Sequence, residues 1–584
     1  MLKSYGKGVN SMENIKIKDQ KWGPFFKLLL KSKLPWKWYI LNLILRLIIS
    51  TVTVKLPQLA GDIMQGKIFD QKLIVNYIFI TVIMTIVSIV LGLFGTWIDL
   101  NTDRNLQKSV WKKFIRMPMS FFNKLNPSSL TSRVTSDAAS VSYGLNNCFN
   151  LINTTYTLVI TLITVNSMNH KMVIAMGFLI PWVLIVTVLP GRFVFNAQNK
   201  IQSTYSDFTN FITERLTNLH LIKSSGSEEF EVQQGIKVAK RQYKSEVYLA
   251  KVNLISEPFT YSVEAFCKAL VLIYGGILVS KKQLEMGQLI AMLVYVEAIP
   301  IYIIQYIMCY QEVKKAQGAT QKISEILESE SENFKREKSF TLLDEDIYFE
   351  GVSFSYAKEK VLHNLNFTIP KGKVTAIVGP SGSGKSTILN ILERFYVPES
   401  GQVKFGSIPI ETINLNEWRN AIGYMPQNSL LLSGSIWDNI VYGVNHKVSQ
   451  EEVIRAAKLA NACDFIKDLP EGFNSQVGEL GSRLSGGERQ RIIIARTIIK
   501  NPKYLILDEA TCNLDVQNEH EVQIALSNLM KGRTTIVVAH NIKTVVHADN
   551  IIVLDKGEIE AVGQHDKLYK ESFLYRRYFD LQFN

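Results

Sequence analysis

The sequence predicts a chain of two parts: an α-helical membrane domain with six spans, followed by an α/β domain built around a glycine-rich loop. Three observations carry this. Six apolar runs of near-bilayer length lie between residues 38 and 312. The gaps between them alternate short and long, and the long ones are basic. Beyond residue 346, short β-rich runs alternate with helical stretches. A chain of 584 residues is in any case too long for one compact domain, and 47% hydrophobic with 20% charged residues averages two unlike halves and excludes intrinsic disorder. Five cysteines with no C-x-x-C pair exclude a disulfide framework and a cysteine-rich zinc site.

Residues 1–35 carry Lys3, Lys7, Lys16, Lys18, Lys21, Lys27, Lys31 and Lys33 among Trp22, Phe25, Phe26 and Leu28-Leu29-Leu30, a basic amphipathic segment suited to lying on a membrane. No small-residue cleavage site follows a short apolar core, so it is not read as a signal peptide. The membrane domain occupies 36–325, with spans near 38–56, 74–98, 149–167, 172–194, 258–279 and 287–312. The third is polar for a span, with Asn150, Asn153, Thr154, Thr155 and Thr161, as expected of a helix that faces other helices or water.

The links at about 99–148 and 195–257 are long, polar and helical in periodicity, so their helices are expected to continue past the bilayer. They hold Arg104, Lys108, Lys112, Lys113, Arg116, Lys124 and Arg133 in one and Lys200, Arg215, Lys223, Lys237, Lys240, Arg241 and Lys244 in the other, which places both links in the cytoplasm. An even number of spans then returns the C-terminus there. Much of the formal charge of +13 thus orients the chain, and nucleic acid drops out as its explanation. A charged linker over 326–345 leads to the α/β domain at 346–584, whose strands include 374–378, 504–507 and 535–538.

The strand Val374–Val378 runs into Gly379-Pro-Ser-Gly-Ser-Gly-Lys385-Ser386-Thr387 and then an apolar helix beginning Ile388-Leu389, the strand and helix flanks that G-x-x-x-x-G-K-[ST] requires. Such a loop turns backbone N–H groups around a phosphate, its lysine reaches the β/γ oxygens, and its Ser386 hydroxyl suits Mg2+. The candidate nucleotide-binding residues here are Gly379, Ser381, Gly382, Ser383, Gly384, Lys385, Ser386 and Thr387. Downstream, Tyr504-Leu-Ile-Leu-Asp508-Glu509 is a strand ending in two carboxylates. Asp508 suits the Mg2+ shell, and Glu509 is placed to polarise an attacking water.

Leu484-Ser485-Gly486-Gly487-Glu488-Arg489-Gln490 lies between these two motifs. With it, the last 240 or so residues resemble the nucleotide-binding domain of the ATP-binding cassette (ABC) family. The resemblance implies ATP and Mg2+ as cofactors, and a site completed by a second cassette through Ser485 and Gly487. It further implies Gln427 as the residue that senses Mg2+ and water, His540 as a γ-phosphate contact and Asp515 as a signalling residue across the dimer. Tyr356, at the end of the alternating run Val352-Ser-Phe354-Ser-Tyr356, resembles the aromatic that stacks on adenine, although a core tyrosine alternates in the same way. Cys512-Asn513 and Asn541 depart from the family pattern, which has Ser-Ala and Arg there; neither position does the chemistry.

Six spans ahead of the cassette resemble the exporter class with domain-swapped helices. Met119-Ser-Phe121-Phe122 with Ser132-Arg133-Val-Thr-Ser-Asp137, and Phe211-Ile-Thr-Glu214-Arg215 with Ile222-Lys223, are similar to its two intracellular coupling regions. Gln476-Val-Gly-Glu479 resembles its X-loop. The function this implies is ATP-driven export of an amphipathic cargo, a small peptide or hydrophobic drug, across the plasma membrane. The exporter is a dimer of half-transporters, with a homodimer favoured over a heterodimer because both halves of the site are intact in one chain. A lipid flippase, or a nucleotide-gated channel or regulator, is the alternative. Glu264, Lys268 and Glu297 lie in the fifth and sixth spans and are expected to border the cargo cavity, unless Glu264 and Lys268 simply pair along one helix face.

Overall fold

The computed structural model of the chain describes Gly23 and residues 34–65, 71–122, 127–177, 180–332, 345–356, 359–427, 430–444, 446–508, 516–538 and 545–583. The basic segment expected over 1–35 therefore lies almost wholly outside the described residues. The chain divides into two compact units, 1–115 with 128–329, and 116–127 with 330–584.

The first unit is built from long helices: α1 (Trp36–Met64), α2 (Gln71–Phe114), α3 (Ala138–Met168), α4 (Ile180–Thr217), α5 (Glu228–Ser280) and α6 (Met286–Glu328). Among the described residues, five helices are long and apolar enough to cross a membrane: α1, α2, the Leu130–Met168 stretch containing α3, α5 and α6. The fourth expected span falls on a short helix, His170–Gly177, and the start of α4, parts of which lie outside the described residues. As expected from the periodicity of the long links, α2 continues to Phe114 and α5 begins at Glu228, far from its apolar stretch. The 53 residues of α5 extend about 80 Å at helical rise, against about 30 Å of hydrocarbon. Its start carries Glu228, Glu229 and Glu231 in the first turn, where carboxylates meet the positive end of the helix dipole.

Polar residues inside the spans are absorbed in two ways. Hydroxyls bond back along their own helix, as Thr157 to the Asn153 carbonyl at 2.8 Å and Thr161 to the Thr157 carbonyl at 2.7 Å. Others join α1 to its neighbours. Arg46 donates to Asn42 on α1 and Asn150 on α3, Ser50 donates to Asn153, and Tyr39 donates to Thr102 of α2 at 3.1 Å. Asn146 donates to the Asp99 carboxylate at 2.7 Å. The polarity of the third span is thus a seam between helices, which explains both that span and the lone Arg46 in the first.

In the second unit, a four-stranded antiparallel sheet has the order β2-β1-β4-β5, from β1 (Ile347–Tyr356), β2 (Glu359–Ile369), β4 (Ser400–Phe405) and β5 (Ile408–Pro409). A six-stranded sheet has the order β10-β9-β3-β8-β7-β6, from β3 (Val374–Val378), β6 (Ile422–Met425), β7 (Tyr504–Asp508), β8 (Thr534–Val538), β9 (Asn550–Asp555) and β10 (Glu558–Gly563). All its pairs are parallel except the β9–β10 hairpin. Strands β7 and β8 are apolar or threonine almost throughout because helices cover both sheet faces. The helices that matter below are α7 (Lys385–Leu392), α8 (Leu415–Ala421), α9 (Ile436–Val441), α10 (Gln450–Leu459), α11 (Gly486–Lys500) and α12 (Val516–Met530). Trp418 of α8 is fully buried and donates its indole N–H to the Leu392 carbonyl at 2.7 Å, holding α8 to the end of α7. The helix expected to begin at Ile388 begins three residues earlier, at Lys385, because Gly384 takes φ +103° and serves as its N-cap.

Candidate nucleotide site

Four adjacent parallel strands end on one edge of the large sheet, with Ile377 of β3 beside Val538 of β8, Val538 beside Asp508 of β7, and Leu507 beside Met425 of β6. The residues that leave this edge are those the sequence singles out: Gly379 after β3, Asp508 at the tip of β7 and Gln427 after β6. Ligand sites of open α/β sheets form at such carboxyl ends. His540 follows β8 by two residues; it lies, with Glu509, Cys512, Asn513, Asp515 and Asn541, outside the described residues.

Backbone requirements fix the glycine-rich loop. A Cβ on Gly379 would collide with the Leu554 carbonyl, and one on Gly384 would stand 2.5 Å from Leu362 Cδ2. Gly382 takes φ +81°. The Lys385 ammonium donates to the Gly379 and Pro380 carbonyls, both at 2.8 Å, so the lysine bridges its own loop from the first turn of α7. Ser381, Gly382 and Ser386 are exposed, while Ser383, Lys385 and Thr387 are buried. The Ser383 hydroxyl is buried with no hydrogen-bond partner in the structure, a group left for a ligand. A cradle of N–H groups at a helix N-terminus, a lysine and an unused hydroxyl fit a nucleotide phosphate. Ser386, Gln427 and Asp508 offer hard oxygen donors of the kind Mg2+ takes.

Tyr356 closes β1 about one-third exposed, edge-on to Phe354 and Tyr396 at ring distances of 4.9 and 5.1 Å. Its hydroxyl accepts from Asn390 of α7 at 3.3 Å, which ties the ring to the helix of the phosphate loop. Burial pushes the Tyr424 phenol of β6 up to about 12, with the charge on Asp508 adding to the effect.

The Leu484–Gln490 motif opens α11. Ser485 is its N-cap and forms a capping box, its N–H donating to the Glu488 carboxylate at 2.7 Å while its hydroxyl accepts from the Glu488 N–H at 3.3 Å. Ser485 is exposed and Gly487 buried. Helix α11 packs on α9, α10 and α12 and against β6 of the large sheet. The Gln476–Glu479 segment is pinned beside α9, with the Val477 N–H donating to the Gly434 carbonyl at 3.0 Å and the Ile436 N–H to the Ser475 carbonyl at 3.0 Å. The short helix Met119–Phe122 groups with this unit, in the 116–127 segment.

In the first unit, the Lys268 ammonium lies 2.7 Å from Glu264 and 2.5 Å from Glu297, so it pairs both along α5 and across to α6. These contacts are those of the pairing alternative, and none of the three residues is among those lining the nearby cavity of about 670 Å³. Its walls carry the triad's neighbours, Val263, Cys267, Val296 and Pro300, with Gln311 and Lys315 at a polar end. Sequence reasoning missed the tie between α7, α8 and the segment after α6, which Arg419 makes. A single arginine on an amphipathic helix reads as solvated, and no local pattern marks it.

Comparison with known proteins agrees with this geometry. A family model described as ABC transporter matches residues 362–512, and one described as ABC transporter transmembrane region matches 39–299. The chain is 31% identical to a "Multidrug resistance ABC transporter ATP-binding and permease protein" of Lactococcus lactis subsp. cremoris, over 95% of each chain. It is 32% identical to an "ATP-dependent lipid A-core flippase" of Syntrophus aciditrophicus, over 82% of this chain and 80% of that one. With the mouse "ATP-binding cassette sub-family B member 10, mitochondrial" it shares 33% identity over 82% of this chain and 68% of the relative.

Proposed function

Because this chain belongs to the ABC transporter family, with membrane region and ATP-binding cassette fused in one polypeptide, it is an ATP-driven, multi-pass membrane exporter with a cytoplasmic cassette, and we propose that two copies move a drug-sized amphipathic cargo across the plasma membrane. The cavity of about 670 Å³ supports the size of that cargo: it falls in the range of small-molecule sites and is mainly apolar, with polar groups at one end. Glu264, Lys268 and Glu297 beside it carry two carboxylates against one ammonium, which favours a cargo with positive charge.

In this reading each ATP lies between the phosphate loop of one copy and Ser485 and Gly487 of the other. The exposure of Ser485 at the N-terminus of α11 supports that division, since an open helix N-terminus suits an anion brought by another chain. Lys385 and the loop N–H groups hold the phosphates, Ser383 donates its unused hydroxyl, and Tyr356 stacks on adenine. Ser386, Gln427 and Asp508 would hold Mg2+, which neutralises phosphate charge when bound. Glu509 accepts a proton from the water whose oxygen attacks the γ-phosphorus as the bond to the ADP oxygen breaks, with His540 on the γ-phosphate and Asp515 reporting across the dimer. Closure of the cassettes is favoured because ATP binds the closed state better, and hydrolysis reverses it.

Lipid translocation is the second reading, favoured by relatives named as lipid A-core flippases. Purified protein in liposomes separates the two. The expected result is ATPase activity abolished by Glu509→Gln and stimulated by cationic amphipathic dyes that accumulate inside inverted vesicles. Stimulation by multi-acyl lipids alone, with no dye movement, would replace the drug-sized cargo with lipid.

A further inference from the structure

Arg419 of α8 gathers three chain segments that are remote in sequence. Its guanidinium meets the Glu332 carboxylate as a two-pronged fork, Nη1 to Oε2 and Nη2 to Oε1, both at 2.8 Å. Its Nε donates to the Glu393 carbonyl at 3.2 Å and Nη2 to the Arg394 carbonyl at 3.3 Å, the backbone acceptors that follow the last turn of α7. The same group lies over the Phe395 ring at 5.2 Å. The Glu332 backbone N–H in turn donates to the Arg116 carbonyl at 2.8 Å, in the segment that contains the Met119–Phe122 helix. The fork is largely buried, with side chains 25% and 11% exposed, so it is neither screened nor replaced by water as a surface pair would be.

Position gives the fork a consequence. Helix α7 carries the phosphate loop at its N-terminus and Arg419 at its other end, and an eight-residue helix moves as a rigid body. Glu332 lies four residues beyond Glu328, the last residue of α6. Without the fork, only the backbone bond to Arg116 holds Glu332 to the second unit, and the covalent tether from α6 to β1, residues 329–346, is able to reach about 60 Å when extended. With the fork, it is residues 329–331, which can reach no more than about 14 Å. A slack tether carries no displacement; a short one does. Lys500 strengthens the same node from the end of α11, donating to the Arg419 and Ile422 carbonyls at 2.7 and 2.6 Å.

We propose that Arg419 is a positioning residue for coupling: its fork to Glu332 takes up the slack between the phosphate-loop helix and α6, so that nucleotide-driven movement of α7 reaches the membrane helices. The proposal rests on the exporter reading above. The test uses full-length protein in liposomes with Cys267 as the sole cysteine, the others being replaced by serine. Cys267 lines the cavity, and its rate of reaction with N-ethylmaleimide reports rearrangement of the membrane unit. In the parent protein, ATP with vanadate should change that rate by at least about threefold. Glu332→Gln and Arg419→Lys, which keep side-chain size but lose the charged fork, should leave kcat and KM for ATP within about twofold while abolishing the change in Cys267 reactivity; Glu332→Asp should restore part of it. Retention of the full ATP-dependent change in both variants would overturn the proposal. A parallel loss of ATPase and labelling response would overturn it too, by making the fork mere support for the nucleotide unit. A parent protein that hydrolyses no ATP would instead defeat the exporter reading itself.

Discussion

Gly61 and Gly287 pack backbone to backbone: a Cβ built on either residue would collide with the carbonyl oxygen of the other. Gly61 lies near the end of α1 and Gly287 in the first turn of α6, so the two helices approach as closely as their main chains allow. Substituting Gly61 or Gly287 by valine should therefore separate the helices and lower stability by about 1–3 kcal/mol. Gly92, on the exposed face of α2 with nothing within 4 Å of where a methyl would stand, should accept alanine without loss. Thermal denaturation in detergent, comparing the three variants, checks the contrast.

Ser383→Ala should separate binding from folding. The hydroxyl has no partner in the protein, so its removal leaves no group unsatisfied, and the melting temperature should be unchanged. A lost hydrogen bond to phosphate should weaken ATP binding by about tenfold, read as Kd by titration with a fluorescent ATP analogue. An unchanged Kd would show that the hydroxyl does not face the nucleotide.

Glu393 makes the cassette sensitive to pH. Burial pushes its carboxyl up to about 7, against the opposing charges of Lys500 and Arg419. Between about pH 4.5 and 7 the native state keeps a proton that the unfolded chain has released, so stability falls as pH rises through this window and is level above it. The loss is at most about 3 kcal/mol. Glu393→Gln should remove that slope and raise the melting temperature at pH 8 relative to the parent, measured by denaturation scans from pH 5 to 8.

The intramembrane triad gives a charge test. Lys268→Met leaves Glu264 and Glu297 without their cation and should lower both stability and uptake of cationic dyes into inverted vesicles. Glu297→Gln, which leaves the Glu264–Lys268 pair, should lower uptake several-fold with little effect on stability. Wild-type uptake of every cargo by both variants would remove the triad from the translocation path.

Features set by neighbouring residues are plain in the sequence. The strand before Gly379 and the continuation of α2 and α5 beyond their apolar stretches each depend on a short window of chain, where periodicity and turn chemistry act. The start of α7 is misplaced by three residues because the left-handed backbone at Gly384 lets the helix begin inside the loop. What cannot be read locally is partnership across distance. Arg46 in the first span is conspicuous, yet its acceptor Asn150 is 104 residues away. Arg419 finds Glu332 across 87 residues, and Gly61 meets Gly287 across two different helices. Such pairs follow from how helices and sheets pack, which no pattern of spacing along the chain encodes.

The matched ends of β3, β8, β7 and β6 limit how this protein can change in length. Each residue lost from one of these strands would retract the loop beyond it by about 3.3 Å and turn its side chains to the opposite face, while the neighbouring strands stayed in place. Gly379, Asp508 and Gln427 would then no longer share an edge. Natural insertions and deletions should accordingly collect past the helices that follow each loop, leaving the strand lengths of the cassette as a fixed ruler against which the rest of the chain varies.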